Sequence, residues 1–247
     1  MASSGESVVG SLVNRRQREE RATFRFVFLL NATAEGETFV SSFRAAVREA
    51  RTLTGRDEMT GAAKSQAGKR VPPTDWSGAL VYLIVLELIG STLRPEGRRA
   101  WRHDGRPRRA QEPKVARALR YFATPAMTSQ QRGAMVALRN SFAHNFGLTN
   151  RGPADRRHRF VLVDSARDPL TKLPARRWNG RYGAASRGGP TIVNLRALGD
   201  LVENVVAEVE RAARAQKLHL AHGITVDELG TAYGFRIWEP KGSAPAA

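Results

Sequence analysis

The sequence predicts a mainly α-helical protein, a helical bundle carrying a small β-hairpin insertion and a long C-terminal helix. Three observations lead there. Apolar residues recur at spacings of three and four through several segments; one short run alone, FVLV at 160–163, has the composition of a strand; and 41% apolar content over 247 residues is enough for a core without covalent staples.

Taken in order, the first helix is expected over residues 15–30, ending at Asn31. A second is expected over 38–54, where Phe39, Phe43, Val47 and Ala50 fall four, four and three apart. Residues 55–73 are a Gly-rich loop closed by Pro72 and Pro73. Thr74 or Asp75 caps the third helix, whose stretch WSGALVYLIVLELIGSTL at 76–93 approaches membrane-spanning length. Glu87 interrupts it and would be costly in hydrocarbon, so the segment reads as a buried bundle helix, with Glu87 a structural carboxylate paired to a buried arginine. No membrane association is expected.

A Gly-, Pro- and Arg-rich loop at 94–112 follows, with Trp101 in its middle, then a short helix over 113–122. Thr128 or Ser129 caps the next helix. The hairpin is expected at about 157–175, and a loop holding Trp178, Asn179 and Gly180 leads to an amphipathic helix over 194–217. Its Leu195, Leu198, Leu201, Val202, Val205, Val206 and Val209 form the apolar stripe. A last helix over 226–233 precedes a tail expected to be disordered from 240 to 247. All of this is read as one domain spanning 1–247, with its core at about 15–150 plus the helix at 194–217.

Cysteine is absent, which removes disulfides, thiolate nucleophiles and Cys-held metals from consideration and fits a reducing cytoplasm. Glu6 stands where a signal peptide is basic, so secretion is not indicated. The net charge of +17 is unevenly placed. Residues 94–120 carry ten basic against three acidic side chains, and residues 151–187 repeat that balance. Such a field favours a polyanion, and the side chains expected to touch it are Arg98, Arg99, Arg102, Arg106, Arg108, Arg109, Arg156 and Arg157.

Between the two basic segments lies RNSFAH, residues 139–144. Arginine followed five positions later by histidine is weak evidence by itself; chance gives about 0.7 occurrences in this composition. Three occur. Arg98 with His103 falls in the loop, and Arg214 with His219 at a helix end. Only Arg139 with His144 lies in mid-helix, and only there does Asn follow the Arg. At about 100° per residue, Met135, Leu138, Phe142 and Phe146 form a core stripe while Asn140 and His144 face away from it. Arg139 stands at the margin, about 140° from His144. One helix does not bring the two tips together unaided; a second copy of the helix would, which argues for a site at a dimer interface.

The string LRNSFAH resembles the signature of the HEPN superfamily, in which Arg, a polar residue, three further positions and His lie on a late helix of a four- or five-helix bundle. The resemblance covers roughly residues 74–150, with LELIGSTLRP and KVARALRYF also similar to what some bacterial members carry before the motif. It implies a metal-independent endoribonuclease acting as a homodimer, with Arg139, Asn140 and His144 as catalytic residues. It also implies attack by the ribose 2′-hydroxyl to give a 2′,3′-cyclic phosphate, in a bacterial defence or toxin–antitoxin setting with an antitoxin or defence-complex protein as partner. The chemistry agrees with the residues: an imidazole exchanges protons near neutrality, and a guanidinium binds phosphate bidentately. The alternative is a catalytically inactive module of the same fold that binds nucleic acid or protein.

Other constellations are poorer. His219 and His222 with Asp227 and Glu228 offer one pair without a third committed ligand, so no metal or cofactor is expected. There is no phosphate-binding glycine loop, no nucleophile elbow and no dinucleotide fingerprint. If the loop arginines touch phosphates, replacing them one at a time between 94 and 109 should weaken RNA binding. It should also flatten the log-log salt dependence by about one unit for each phosphate no longer held. Binding that does not vary with salt would show those charges to be idle.

Overall fold

The structure, a computed structural model, describes residues 5–29, 32–34, 37–63, 65–66, 69–70, 76–97, 112–145, 147–152 and 157–238. These form seven α-helices and several small sheets, so the protein is mainly helical but mixed α/β in character. The basic loop from 98 to 111 and the tail from 239 onward lie outside the described residues, as do Phe146 and Arg156. None of the described helices is long and apolar enough to cross a membrane.

The backbone gathers into two compact units. The first comprises Met1–Ala45, Thr92–His103 and Val209–Ala247. It holds helix α1 (Gly5–Phe28), strands β1 (Ala32–Ala34) and β2 (Glu37–Ser41), β5 (Leu93–Pro95), β10 (Leu218–Leu220), helix α7 (Val226–Ala232) and β11 (Gly234–Trp238). Residues 38–41, expected to open the second helix, are instead extended in β2, with β11 antiparallel on one side and β1 on the other. Local spacing favours a helix there; pairing with a segment nearly two hundred residues away overrides it. The ring of Phe26 lies 5.7 Å from that of Phe43 and 6.4 Å from Tyr233, and Ser41 Oγ donates to the Phe26 carbonyl at 2.5 Å.

The second unit comprises Ala46–Ser91 and Asp104–Glu208. To it belong most of α2 (Ser42–Leu53) and α3 (Trp76–Thr92), all of α4 (Lys114–Phe122) and α5 (Ser129–Asn145), and much of α6 (Leu195–Arg214). Between α2 and α3 lies a minor two-residue ladder, β3 (Ser65–Gln66) with β4 (Lys69–Arg70). Helix α3 is apolar on nearly every side and packs Tyr82, Leu83, Val85, Leu86 and Ile89 into the core, while Trp76 and Ile84 stay exposed. Gly90 lets α4 come close: a Cβ there would sit 1.9 Å from the Lys114 carbonyl oxygen. Along α6, Leu198, Val202, Val205, Val206 and Val209 are buried as the stripe predicts, whereas Leu195 and Leu201 are only half-buried.

The expected hairpin does not form. β7 (His158–Val163) pairs antiparallel with β6 (Thr149–Asn150) and parallel with β9 (Thr191–Asn194). The segment that should have returned on it, β8 (Thr171–Lys172), pairs with β9 instead, giving a sheet ordered β6-β7-β9-β8. The chain returns from the end of β7 to the start of the parallel β9 through residues 164–190, with β8 running the opposite way between them.

One half-buried carboxylate ties three helices of this unit. Glu203 on α6 accepts from Arg51 Nε and Nη2 of α2, the latter at 2.8 Å, and from Tyr82 Oη of α3 at 2.9 Å. Burial and the Glu203 charge together push the Tyr82 hydroxyl's pKa far upward, so it stays a donor. Glu203→Ala should cost about 3–5 kcal/mol in urea unfolding, because it leaves Arg51 buried without its counter-charge. Arg48→Ala, which removes the exposed pair with Glu58, should change stability by less than about 1 kcal/mol. Equal losses would show that Glu203 is no anchor.

Candidate functional site

Helix α5 carries the RNSFAH segment. Its start is fixed by a reciprocal cap: Thr128 Oγ1 accepts from Gln131 N–H at 3.2 Å, and Gln131 Oε1 accepts from Thr128 N–H at 2.9 Å. At its end the Gly147 N–H returns to the Ser141 carbonyl at 3.3 Å, satisfying one of the last free acceptors. Asn150 in β6 donates to the Ala137 carbonyl at 3.1 Å, so the sheet is fastened to the helix two residues ahead of the motif.

The helical wheel places most residues correctly. Met135, Leu138 and Phe142 are fully buried, but Ala134, Val136, Ala137 and Ser141 are buried too, so the covered face is broader than a stripe. Asn140 is half-buried and His144 exposed, one turn apart. The exposed imidazole lies in the last turn of α5. Neither Asn140 nor His144 has a side-chain hydrogen bond among the described residues.

Arg139 turns elsewhere. Its Nη2 pairs with Glu87 Oε2 of α3 at 2.5 Å, with both side chains about a quarter exposed. The carboxylate expected to be paired with a buried arginine is thus paired with the arginine of the motif. Arg139 Nε is buried without a hydrogen-bond partner among the described residues. Trp76 on Phe142, ring centroids 5.6 Å apart, is a second contact between α3 and α5. The structure therefore brings Arg139 to Glu87 and leaves His144 at the surface of its own chain.

Of the expected phosphate-binding arginines, Arg157 alone is described. It is half-buried, its Nε donating to the Gly152 carbonyl at 3.2 Å. Arg98, Arg99, Arg102, Arg106, Arg108, Arg109 and Arg156 lie outside the described residues. His219 sits 3.6 Å from Glu19, and among the described residues no group of three His, Asp or Glu could hold a metal ion. A cleft of about 310 Å³ is lined by Ala116, Gln130, Arg132, Gly133, Val136 and Arg177, at the opposite end of α5 from His144.

Sequence reasoning missed a second histidine. His158 in β7 is 3% exposed, stacks on Phe160 with ring centroids 5.3 Å apart, and shares a 2.8 Å hydrogen bond between Nδ1 and Thr191 Oγ1. Burial first, and the Arg177 charge second, push its pKa down to about 4. Alternation in HRFVLV was the available signal, since it puts His158 on the same face as Phe160.

Comparison of the chain with family models, with curated proteins and with solved structures finds none that matches it.

The His158 shift has a definite sign. The unfolded chain takes up this proton near the ordinary value of about 6.5, before the folded one does. Stability should therefore be level above that pH, fall between about 6.5 and 4, and flatten below, by on the order of 3 kcal/mol in all. Urea unfolding followed from about pH 7.5 to 4.5 checks it. His158→Gln should lose the slope in that window, and a slope that persists would assign it to other groups.

Proposed function

We propose that the chain is a HEPN-like, metal-independent endoribonuclease that works as a homodimer, each copy contributing one α5. The observation that carries this reading is the disposition of one helix. Asn140 and an exposed His144 lie one turn apart beside an arginine whose guanidinium is fixed in direction by Glu87. In the reaction the ribose 2′-oxygen forms a bond to phosphorus as His144 of one copy takes its proton. The bond from phosphorus to the 5′-oxygen breaks, and that oxygen is protonated by the imidazolium of the other copy. Arg139 offers Nη1 to a non-bridging phosphate oxygen and offsets the charge that builds there. Asn140 orients the imidazole or a phosphate oxygen. The products are a 2′,3′-cyclic phosphate and a 5′-hydroxyl.

A second reading has an observation of its own. Because Glu87 already neutralises Arg139, the pair is also what a purely structural arginine would look like, and the chain would then be a binding module on the same scaffold. Incubating the full-length protein with mixed RNA in excess chelator separates the two. His144→Ala should lower cleavage by about 10² to 10⁴-fold and leave RNA binding largely intact, with cyclic phosphate ends on the wild-type fragments. Equal activity of the variant, or binding without any cleavage, would overturn the nuclease reading.

A further inference from the structure

The loop between β8 and β9 holds an aromatic side chain out of the protein at some structural expense. Trp178 is its buried root, with Nε1 donating to the Arg181 carbonyl at 2.8 Å. Asn179 ties the loop from within: Oδ1 accepts from the N–H groups of Arg181 and Arg187, both at 3.1 Å, and Nδ2 donates to the Ala185 carbonyl at 2.9 Å. Gly180, at φ +82°, makes the turn that such a closure needs. The result presents Tyr182, 52% exposed, with its ring 5.2 Å from that of Trp178.

Tyr182 is fixed twice more. Its Oη donates to Thr149 Oγ1 of β6 at 3.0 Å, and the Arg151 guanidinium lies over its ring, 4.5 Å from the centroid. A large exposed ring normally keeps its rotamer freedom; here that freedom is already spent in the free protein, the condition under which stacking a ligand costs least. The surround is strongly basic. Arg151, Arg176, Arg181 and Arg187 are exposed, and none is paired with a carboxylate among the described residues. The patch also adjoins the motif helix, since Thr149 follows His144 by five residues and its neighbour Asn150 is bonded to α5.

We propose that the Tyr182 and Arg151 stack is a platform for single-stranded RNA. An unpaired base lies on the outer face of the planar Arg151 guanidinium, with the flanking phosphates taken by the exposed Arg181 and Arg187 of the same loop. The choice of RNA, and of an unpaired strand, rests on the nuclease reading and on two physical points. A cation supported by an aromatic ring offers a flat surface that any base can stack on, and a duplex keeps its base faces covered. Neighbouring arginines supply backbone attraction without sequence preference. An acidic peptide would satisfy the charges but has no use for the flat face.

The test separates stacking from charge. The probe is a fluorescent 2′-O-methyl oligoadenylate of about 12 nucleotides, within the site size of single-strand-binding folds, which cannot be cleaved because its 2′-oxygen is blocked. Binding to the full-length protein is read by anisotropy, beside a duplex of the same length. Tyr182→Ala and Arg151→Lys should each weaken single-strand binding roughly ten- to a hundred-fold. Lysine keeps the charge but not the plane. Tyr182→Phe, which keeps the ring, should stay within about twofold, and duplex binding should change little in all three. Arg151→Lys binding as tightly as the wild type would overturn the proposal, as would equal loss for strand and duplex. Should Tyr182→Ala melt early, Arg151→Lys decides. The nuclease reading fails independently: cleavage indifferent to His144 alongside intact platform binding removes that reading and leaves the platform, and the reverse pattern removes the platform alone.

Discussion

The Glu203 carboxylate is the interaction on which the motif-bearing unit depends. It accepts from Arg51 Nε and Nη2 and from Tyr82 Oη, so that α2, α3 and α6 meet at a single half-buried charge. An isolated carboxylate in that place would cost several kcal/mol; with its guanidinium and phenol it becomes a fixed point instead. Apolar residues are spread almost evenly around α3, so its composition says little about its rotation, because an apolar helix packs nearly as well when turned. A hydrogen bond from Tyr82 does define the rotation. Once that is set, Glu87, further along the same helix, is directed at α5 and meets Arg139.

Most of this was legible from residues alone wherever structure is local. The Thr128 cap of α5 follows from its residue type, and the apolar spacing on α6 and the orientation of His144 away from the core follow from a 3.6-residue repeat, while Thr74 and Asp75 lie outside the described residues. What failed was non-local. Thr38–Ser41 continues a helical pattern into Phe43 and yet is a strand, because β11 offers hydrogen bonds from the far end of the chain. β7 has strand composition, and its true neighbours, β6 and β9, are fragments of two and four residues with no pattern of their own. Arg139 and His144 were singled out by their mid-helix position and the Asn that follows the arginine, since their spacing recurs twice elsewhere. The partner of Arg139 was only half-read: Glu87 was expected to hold an arginine, and nothing in a one-dimensional pattern could say which of 34.

Trp178, Asn179 and Gly180 show the same limit at smaller scale. Their composition predicts a loop, which is what forms. That Asn179 closes it on itself and so raises Tyr182 depends on a turn at Gly180 and on bonds reaching residues 185 and 187. Loop composition predicts mobility by default; internal hydrogen bonding reverses that conclusion here, and only coordinates reveal it.

The pairing of Arg139 with Glu87 bears on how the proposed reaction would divide its labour. A cation and an anion 2.5 Å apart form a dipole, whose field dies away faster than that of a free charge, so this pair draws no polyanion from a distance. Long-range attraction must come from the basic segments, and in residues 151–187 ten cationic side chains stand against three acidic ones. An untethered arginine would grip phosphate in any orientation. One held by Glu87 would bind more weakly but with its orientation set in advance, and in-line displacement at phosphorus rewards direction over affinity. Recruitment by the arginine-rich surface and alignment by a neutralised pair are then separate tasks, which is why a motif arginine bound to its own chain's carboxylate is compatible with catalysis.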